Sequence, residues 1–315
     1  MPPVVIATAY GGPEALAVAD QPTAEPGPGE AAIAVRAAGV NPADYKSYSG
    51  AFGRDPAALP LRLGSEAAGT VTRVGPGATG PAGPISVGDE VIAYRVRGAY
   101  AAELVTSAAS LIPKPSALAW PEAAGLMLAG ATAWHCLVAT GVSAEDTVLI
   151  HGAAGGVGLM ATQLAVRRGA TVIGTASPAH HEMLRELGAV PVPYGAGLAD
   201  RVRSSAPLGV TAALDLVGTD EAVDVSKALI SDRARIATIA AFGRAGPTGI
   251  QALGGAPGAD PGTEIRMAAR PQLAKLAGDG GIRVIVAATF PLTEAAAAHR
   301  MIITGHTSGK IALIP

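Results

Sequence analysis

Cysteine is nearly missing from this chain. Cys136 is the only one in 315 residues, so an intrachain disulfide framework and a Cys-rich metal cluster are both excluded, and its small apolar neighbours favour an inert buried thiol. Aromatic residues make up 3% against 49% hydrophobics overall, so the core has to be built from Ala, Val, Leu and Ile. Charge is sparse too, at 15% of residues with a net of −2 and a sequence pI of about 6.3. That balance offers no general attraction to nucleic acid or an anionic membrane, and no basic tail or charge block supplies one locally. No run reaches the roughly 18 apolar residues of a membrane span. The start, Met1-Pro-Pro-Val-Val-Ile6, has neither the basic stretch nor the long apolar stretch of an export signal. The expectation is a cytosolic protein with no nucleic-acid or membrane partner. His135, His299 and His306 have no metal-ligand spacing and read as ordinary polar or packing residues.

What the chain does have is a strand that ends in glycines. Thr147-Val-Leu-Ile-His-Gly-Ala-Ala-Gly-Gly-Val-Gly158 opens directly onto a helical stretch, Leu159 to Arg168. A helix N-terminus bared in this way presents amide N–H groups and the positive end of the helix dipole to a pyrophosphate. Gly155 and Gly158 match the second and third glycines of the G-x-G-x-x-G spacing, while Ala153 replaces the first. A second strand, Ala170 to Ala176, follows after one helix length and completes a β-α-β unit of about 30 residues. Enzymes that take NAD commonly place Asp or Glu at the end of this strand, about 20 residues past the glycines, on the ribose diol. Here that place holds Ser177, and the first acidic residue after Gly155 is Glu182. With no carboxylate to repel it, a 2′-phosphate is tolerated, and Ser177, His180, His181 and Arg185 offer donors or positive charge. The expected cofactor is NADPH, although these histidines and the arginine equally suit a solvated helix start.

Before Trp120 the chain reads as five short strands, Val4 to Thr8, Glu30 to Ala37, Gly69 to Val74, Glu90 to Tyr94 and Ala99 to Val105, split by Gly/Pro clusters. Such punctuation predicts a compact β-barrel. One or two helices follow over Ala123 to Thr140. Strands then alternate with helical lengths: Thr147 to His151, Thr171 to Thr175, Ala189 to Val192, Ala212 to Val217, Arg235 to Ala240. That alternation predicts a parallel sheet covered on both faces. Phe242 to Gly262 reads as a loop, near the cofactor and the substrate mouth or else a surface insertion. The tail offers a strand in Ile282 to Phe290, a helix from Leu292 to Thr304 and a final strand to Ile314. These tail strands are expected to rejoin the N-terminal domain.

Several segments together resemble the zinc-independent quinone oxidoreductase branch, zeta-crystallin-like, of the medium-chain dehydrogenase/reductase superfamily. They are Gly39-Val-Asn-Pro-Ala-Asp-Tyr-Lys46, Leu63-Gly-Ser-Glu-Ala-Ala-Gly-Thr-Val71, Val87-Gly-Asp-Glu-Val91, Leu128-Ala-Gly-Ala-Thr-Ala-Trp134, Ala153-Ala-Gly-Gly-Val-Gly158 and Ser308-Gly-Lys-Ile-Ala-Leu313. They occur in the family's order over nearly the whole chain. The resemblance implies an α/β protein: a GroES-like β-barrel catalytic domain over residues 1–119, completed by 282–315, a doubly wound Rossmann domain over 120–281 that binds NADPH, and a substrate cleft where they meet. It also implies a homodimer.

Zinc-dependent relatives carry Cys where this chain has Asn41 and His where it has Ser65, so the resemblance implies no metal. Without a Lewis acid an alkoxide is poorly stabilised. Hydride addition to a conjugated acceptor instead spreads charge into an enolate or hydroquinone anion, which a few donors can hold. The expected reaction is reduction of a quinone or an α,β-unsaturated carbonyl. Asn41 matches the family's cleft asparagine, which implies a bond to the substrate oxygen or to the nicotinamide ribose, though a turn Asn before Pro42 explains it too. Lys46 stands where some members carry Tyr and enone-reducing members often carry Lys, and a donor there would serve an enolate oxygen; a plain exposed lysine is the other reading. Tyr45 and Tyr48 are further candidate donors, at least one of them expected to pack. Phe52 replaces a frequent tyrosine and, with Trp134 and Phe242, is a candidate pocket residue. Glu66 is expected to be structural and salt-bridged, and Asp44 a turn holder.

The candidate cofactor residues are Thr132, Ala154, Gly155, Gly156, Val157, Gly158, Ser177, His181, Tyr194, Val217, Gly218, Ile239, Ala241 and Phe242. Two other functions stay open. One is a tailoring reductase or cyclisation enzyme acting on a polyketide-like intermediate; the other is a non-catalytic NADPH-binding protein of the crystallin or RNA-binding kind, against which the mild acidity argues.

Overall fold

In the computed structural model the chain forms two compact units, Met1–Leu128 with Arg270–Pro315, and Ala129–Ala269. Residues 1–305 and 307–315 are described; His306 lies outside them. Both divisions fall inside helices, Trp120–Ala139 and Thr263–Gly278.

The first unit is built on an antiparallel scaffold centred on the strand Glu30–Val40, which pairs with Glu66–Val74, with Glu103–Ser107 and with the C-terminal strand Lys310–Ile314. The tail therefore returns to this unit, where Val286–Pro291 runs parallel to Lys310–Ile314. Small residues set the strand spacing. A Cβ on Gly69 would lie 2.2 Å from the carbonyl oxygen of Ala34, so this pair closes only because the side chain is absent. Alternating Val, Ile and Ala fill the interior, including Val5, Ile33, Val71, Leu111 and Ile311. The segment from Ala99 is expected as a strand, but the regular strand starts only at Glu103. Residues 100–102 instead meet the strand Pro3–Ala7 by two bonds, Val5 N to Tyr100 O and Ala102 N to Pro3 O, around an isolated bridge from Val4 to Ala101.

The second unit carries a six-stranded sheet, parallel throughout: β1 Thr147–His151, β2 Thr171–Thr175, β3 Ala189–Val192, β4 Ala212–Asp215, β5 Ile236–Thr238 and β6 Gln251–Ala252. Its spatial order is 3-2-1-4-5-6, which reverses direction between β1 and β4. In open α/β sheets ligands settle outside the carboxyl ends of the strands at such a reversal. The first half of the segment from Phe242 to Gly262, expected throughout as a loop, is the helix Phe242–Thr248 and then β6, while residues 253–262 are irregular, as expected, with one isolated bridge from Leu253 to Asp260. Ala245 and Ile250 are buried, and Gly249, at φ 73°, turns the chain out of the helix. Gly/Pro richness misreads this stretch because Pro247 sits in the final turn and Gly243 and Gly246 lie within the helix, with Gly249 marking its exit.

The helix Trp120–Ala139 is long and apolar enough by composition to cross a bilayer, with mean hydropathy 1.2, yet 72% of it is buried in protein, as a core helix is. It is one helix where the sequence allows one or two, because Gly125 and Gly130 are no bar to continuity among the buried alanines and leucines around them.

Candidate active site

The glycine turn follows β1. Gly152 adopts φ 73°, Ala153 N bonds Thr175 O at 3.0 Å, and Gly155 caps the helix Gly156–Arg167. The first helical bond, Leu159 N to Gly155 O, closes at 2.9 Å, so the amides of Gly156, Val157 and Gly158 precede it at the positive end of a 12-residue helix. A Cβ at Gly158 would stand 2.2 Å from Gly152 O, so only glycine lets turn and helix approach. The first glycine of the pattern is replaced by Ala153, fully buried. The missing space is recovered on β2, where a Cβ at Gly174 would lie 2.9 Å from the Ala153 methyl. The turn is thus a shaped cradle with amides at its mouth, and it fits a dinucleotide pyrophosphate. Ala154 is buried beside it.

Other candidate cofactor residues gather at the carboxyl ends of the strands. Ser177 follows β2 and caps the short turn Pro178–His180. His181 Nε2 lies 3.1 Å from Ala176 O, which holds that ring against the strand end. Tyr194, beyond β3, is 56% exposed, and Val217, beyond β4, is 50% exposed. One carboxylate that the sequence reading passed over organises the next two loops. Asp215, fully buried at the end of β4, accepts Val217 N at 3.1 Å and Gly218 N at 2.7 Å on Oδ1, and the Thr238 hydroxyl at 2.7 Å on Oδ2. Thr238 Oγ1 in turn accepts the amides of Ala240 at 3.1 Å and Ala241 at 2.8 Å. Gly218, Ile239 and Ala241 are fixed by this staple, and Phe242 opens the following helix, half-buried. An Asp closing a strand just before a turn was the available signal.

Thr132 is buried, and its hydroxyl oxygen accepts from Arg266 at 3.1 Å. Arg266 also donates to His135 Nδ1 at 3.3 Å, leaving Nε2–H for Asp260 at 3.1 Å. Burial and the neighbouring guanidinium hold His135 below its ordinary value. His135 is therefore a tie rather than a bystander. Trp134 needs correction as a pocket residue. Its ring lies 5.3 Å under the Arg168 guanidinium, at the carboxyl end of the helix whose other end carries the turn, about 18 Å along the axis.

In the first unit, the helix Pro42–Ser49 carries the candidate donors. Asn41, 1% exposed, donates Nδ2–H to Glu66 Oε1 at 3.0 Å and accepts a hydrogen bond from Lys310 Nζ on Oδ1. Lys310 also bonds Glu66 Oε1 at 3.0 Å, and Glu66 Oε2 takes Leu128 N at 2.8 Å. As a substrate donor Asn41 is corrected: its amide is committed to a buried ion pair. Glu66 has the structural, salt-bridged role expected, and Lys310 is the partner the sequence reading did not name. Tyr48 is likewise corrected. It is 1% exposed, stacked on His299 and bonded to that ring's Nδ1 at 2.8 Å, and burial pushes its hydroxyl far above the usual phenol range. Lys46 and Tyr45 are half-buried and Phe52 is 53% exposed. Burial also pushes Cys136 up to about 12, against the Arg266 guanidinium, which lowers it.

Comparison with known proteins agrees with this geometry. Residues 27–167 match the alcohol dehydrogenase GroES-like domain and residues 187–313 a zinc-binding dehydrogenase domain. A mycobacterial quinone oxidoreductase structure is 33% identical, covers 100% of both chains and superposes with TM-score 0.81. The Escherichia coli quinone oxidoreductase complexed with NADPH is 28% identical over 99% of this chain and 100% of its own, TM-score 0.86. A trans-enoyl reductase of Aspergillus terreus is 36% identical over 57% of this chain and 63% of its own length. The chain spans about half the length of other curated relatives that it matches, 53% to 55%.

Proposed function

Since the chain belongs to the quinone oxidoreductase branch of the medium-chain dehydrogenase/reductase superfamily, we propose that it is an NADPH-dependent reductase acting on a quinone or an α,β-unsaturated carbonyl without a metal. The observation that carries this reading is the cradle at Gly152–Gly158 followed by a β2 end that bears Ser177 in place of a carboxylate. Gly156, Val157 and Gly158 would hold the pyrophosphate by their amides. Ser177 and the neighbouring His180 would meet a 2′-phosphate, while the stapled loops at Val217–Gly218 and Ile239–Ala241 would line the rest of the dinucleotide. NADPH, when bound, supplies the hydride. The chain's own work is then to stabilise the anion left on the acceptor and to return a proton. Lys46 and Tyr45, half-buried on one helix, are the donors proposed for the anion.

The donor set supports the reading of metal independence. Asn41 and Ser65 stand at positions where zinc relatives have ligands, and neither is a Cys or His, while the Asn41 amide is already engaged by Lys310 and Glu66. A chelator is therefore expected to leave the rate unchanged. The catalytic role is assigned to the first unit, cofactor binding to the second, in a cytosolic homodimer whose mass light scattering would check.

The test is a fluorescence titration with NADPH and NADH, followed by NADPH consumption against quinones, enals and enones. At least tenfold tighter NADPH binding with turnover of one acceptor class supports the reading. An NADH preference overturns the cofactor choice, and tight NADPH binding without turnover of any acceptor moves the protein to a binding role. The trans-enoyl reductase likeness favours the C=C side, including a polyketide-like substrate.

A further inference from the structure

Four side chains that the proposed hydride transfer leaves unused form a directed hydrogen-bond series in the core of the first unit. Tyr48, His299, Tyr100 and Asp44 are 1%, 0%, 1% and 6% exposed. Tyr100 O–H donates to Asp44 Oδ2 at 2.9 Å. A phenol has one proton, so the Tyr100 oxygen must accept from His299 Nε2, 3.1 Å away. Nε2 therefore carries the hydrogen, and the bare Nδ1 accepts from Tyr48 O–H at 2.8 Å. The ring is neutral, since burial lowers His299 to about 4. Every donor in the series points toward Oδ2, which also receives Asn41 N–H at 2.9 Å. Oδ1 is different: it faces the hydroxyl of Ser65 at 3.4 Å. A proton added to this carboxylate has its place on Oδ1, because Oδ2 is already filled by two donors. Ser65 is half-buried where Asp44 is buried, so it is the more exposed member of the pair.

Resting on the reductase reading above, we propose that Asp44 is the acid that protonates the reduced acceptor, acting through the hydroxyl of Ser65. Hydride addition leaves an enolate or hydroquinone anion with one proton still to gain. The Ser65 O–H bond breaks as a new O–H or C–H bond forms on that anion. The Asp44 Oδ1–H bond then breaks and restores the Ser65 hydroxyl, leaving Asp44 as carboxylate. After product leaves, water reprotonates Asp44 through Ser65, so one proton from solvent is consumed per hydride. Tyr48, His299 and Tyr100 are positioning residues: their fixed polarity keeps Oδ2 an acceptor and the mobile proton on Oδ1.

The electrostatics suit this role. Burial raises Asp44 to about 6, against the Tyr100 hydroxyl, the Asn41 amide and the Lys310 ammonium, which lower it, and with Glu66, which raises it. These groups, with neutral His299 and Tyr48, face Asp44 from the surrounding strands and helices.

The experiment begins with infrared difference spectra of the whole protein. A carboxylic C=O stretch is expected that disappears as pH rises through about 6, is absent in Asp44→Asn, and shifts in Ser65→Ala when its bond to the hydroxyl is lost. With NADPH and an enone, kcat is expected to be highest at low pH and to fall as pH rises through the same point, because the protonated acid is the active form. Asp44→Asn and Ser65→Ala lose about tenfold in kcat and flatten the profile, while the NADPH Kd from fluorescence stays as in wild type. Tyr100→Phe removes a bond that favours the carboxylate, so both infrared and kinetic midpoints move to higher pH, which a merely structural loss would not do. Lys46→Met keeps the inflection. An absent or non-titrating band, wild-type kcat and profile in Ser65→Ala, or loss of the inflection in Lys46→Met instead, overturns the proposal. A titrating band in a protein that binds NADPH and reduces nothing marks failure of the reductase reading.

Discussion

At the scale of single residues, Lys310 carries more than its place in a short C-terminal strand suggests. Its ammonium and the Glu66 carboxylate are both at or below 5% exposed on their side chains, and Asn41 and Leu128 N occupy their remaining hydrogen-bonding positions. Removing one partner of such a pair leaves an uncompensated buried charge, which costs about 3–5 kcal/mol. Lys310→Met is expected to lower unfolding free energy by that amount in urea titration. Lys310→Met with Glu66→Gln is expected to recover most of it, since the orphaned charge is then gone. If the single variant is as stable as wild type, the pair is not buried as described. Asn41 and Tyr48 show why residue roles are hard to read from a string. A motif position gives the side chain's identity, while its partners, Lys310 and His299, lie more than 250 residues away in sequence.

At the scale of elements, the glycine turn and β2 form one device. Gly158→Ala puts a methyl against the Gly152 carbonyl, with a separation of 2.2 Å before relaxation. The helix start must shift, and the amides proposed to hold the pyrophosphate shift with it. NADPH binding is expected to weaken by at least tenfold in calorimetric titration, with helix content unchanged by circular dichroism. Much of this unit was legible beforehand: β1, β2 and β3 fall where alternating apolar runs bounded by glycine predict them. What escaped was Gly174 as the partner of Ala153, because compensation between a turn and a neighbouring strand leaves no local pattern. The helix Phe242–Thr248 escaped for a related reason. Its burial comes through Ala245, with Ile250 just beyond it, and small residues carry little amphipathic signal against a Gly/Pro background.

For the whole molecule, buried titratable groups set how stability responds to acid. His151 and His299 are each lowered to about 4 by burial, so the unfolded chain binds two more protons than the native one between about 4 and 6.5. Asp44, raised to about 6, works the other way, with the native state holding one extra proton between about 4 and 6. Among these three groups the difference is one proton taken up on unfolding, and His135, also held low by burial, adds to it. Stability is expected to fall by at least about 1.4 kcal/mol per pH unit as pH drops from 6 to 4. Asp44→Asn removes the opposing contribution and is expected to steepen that slope by about 1.4 kcal/mol per unit. Urea midpoints measured across this range check both, and a flat wild-type response would contradict them. The β-barrel and parallel sheet were foreseeable because periodicity is local, whereas this acid response depends on which polar groups the fold brings together in its interior.

The Asp215–Thr238 staple has a dynamic consequence. Four amides, on Val217, Gly218, Ala240 and Ala241, all terminate on one carboxylate–hydroxyl pair. Two loops that look independent in sequence therefore open together or stay closed together. Their amides would share a single protection factor in hydrogen exchange, and a thermal fluctuation that releases one loop would release its neighbour in the same event.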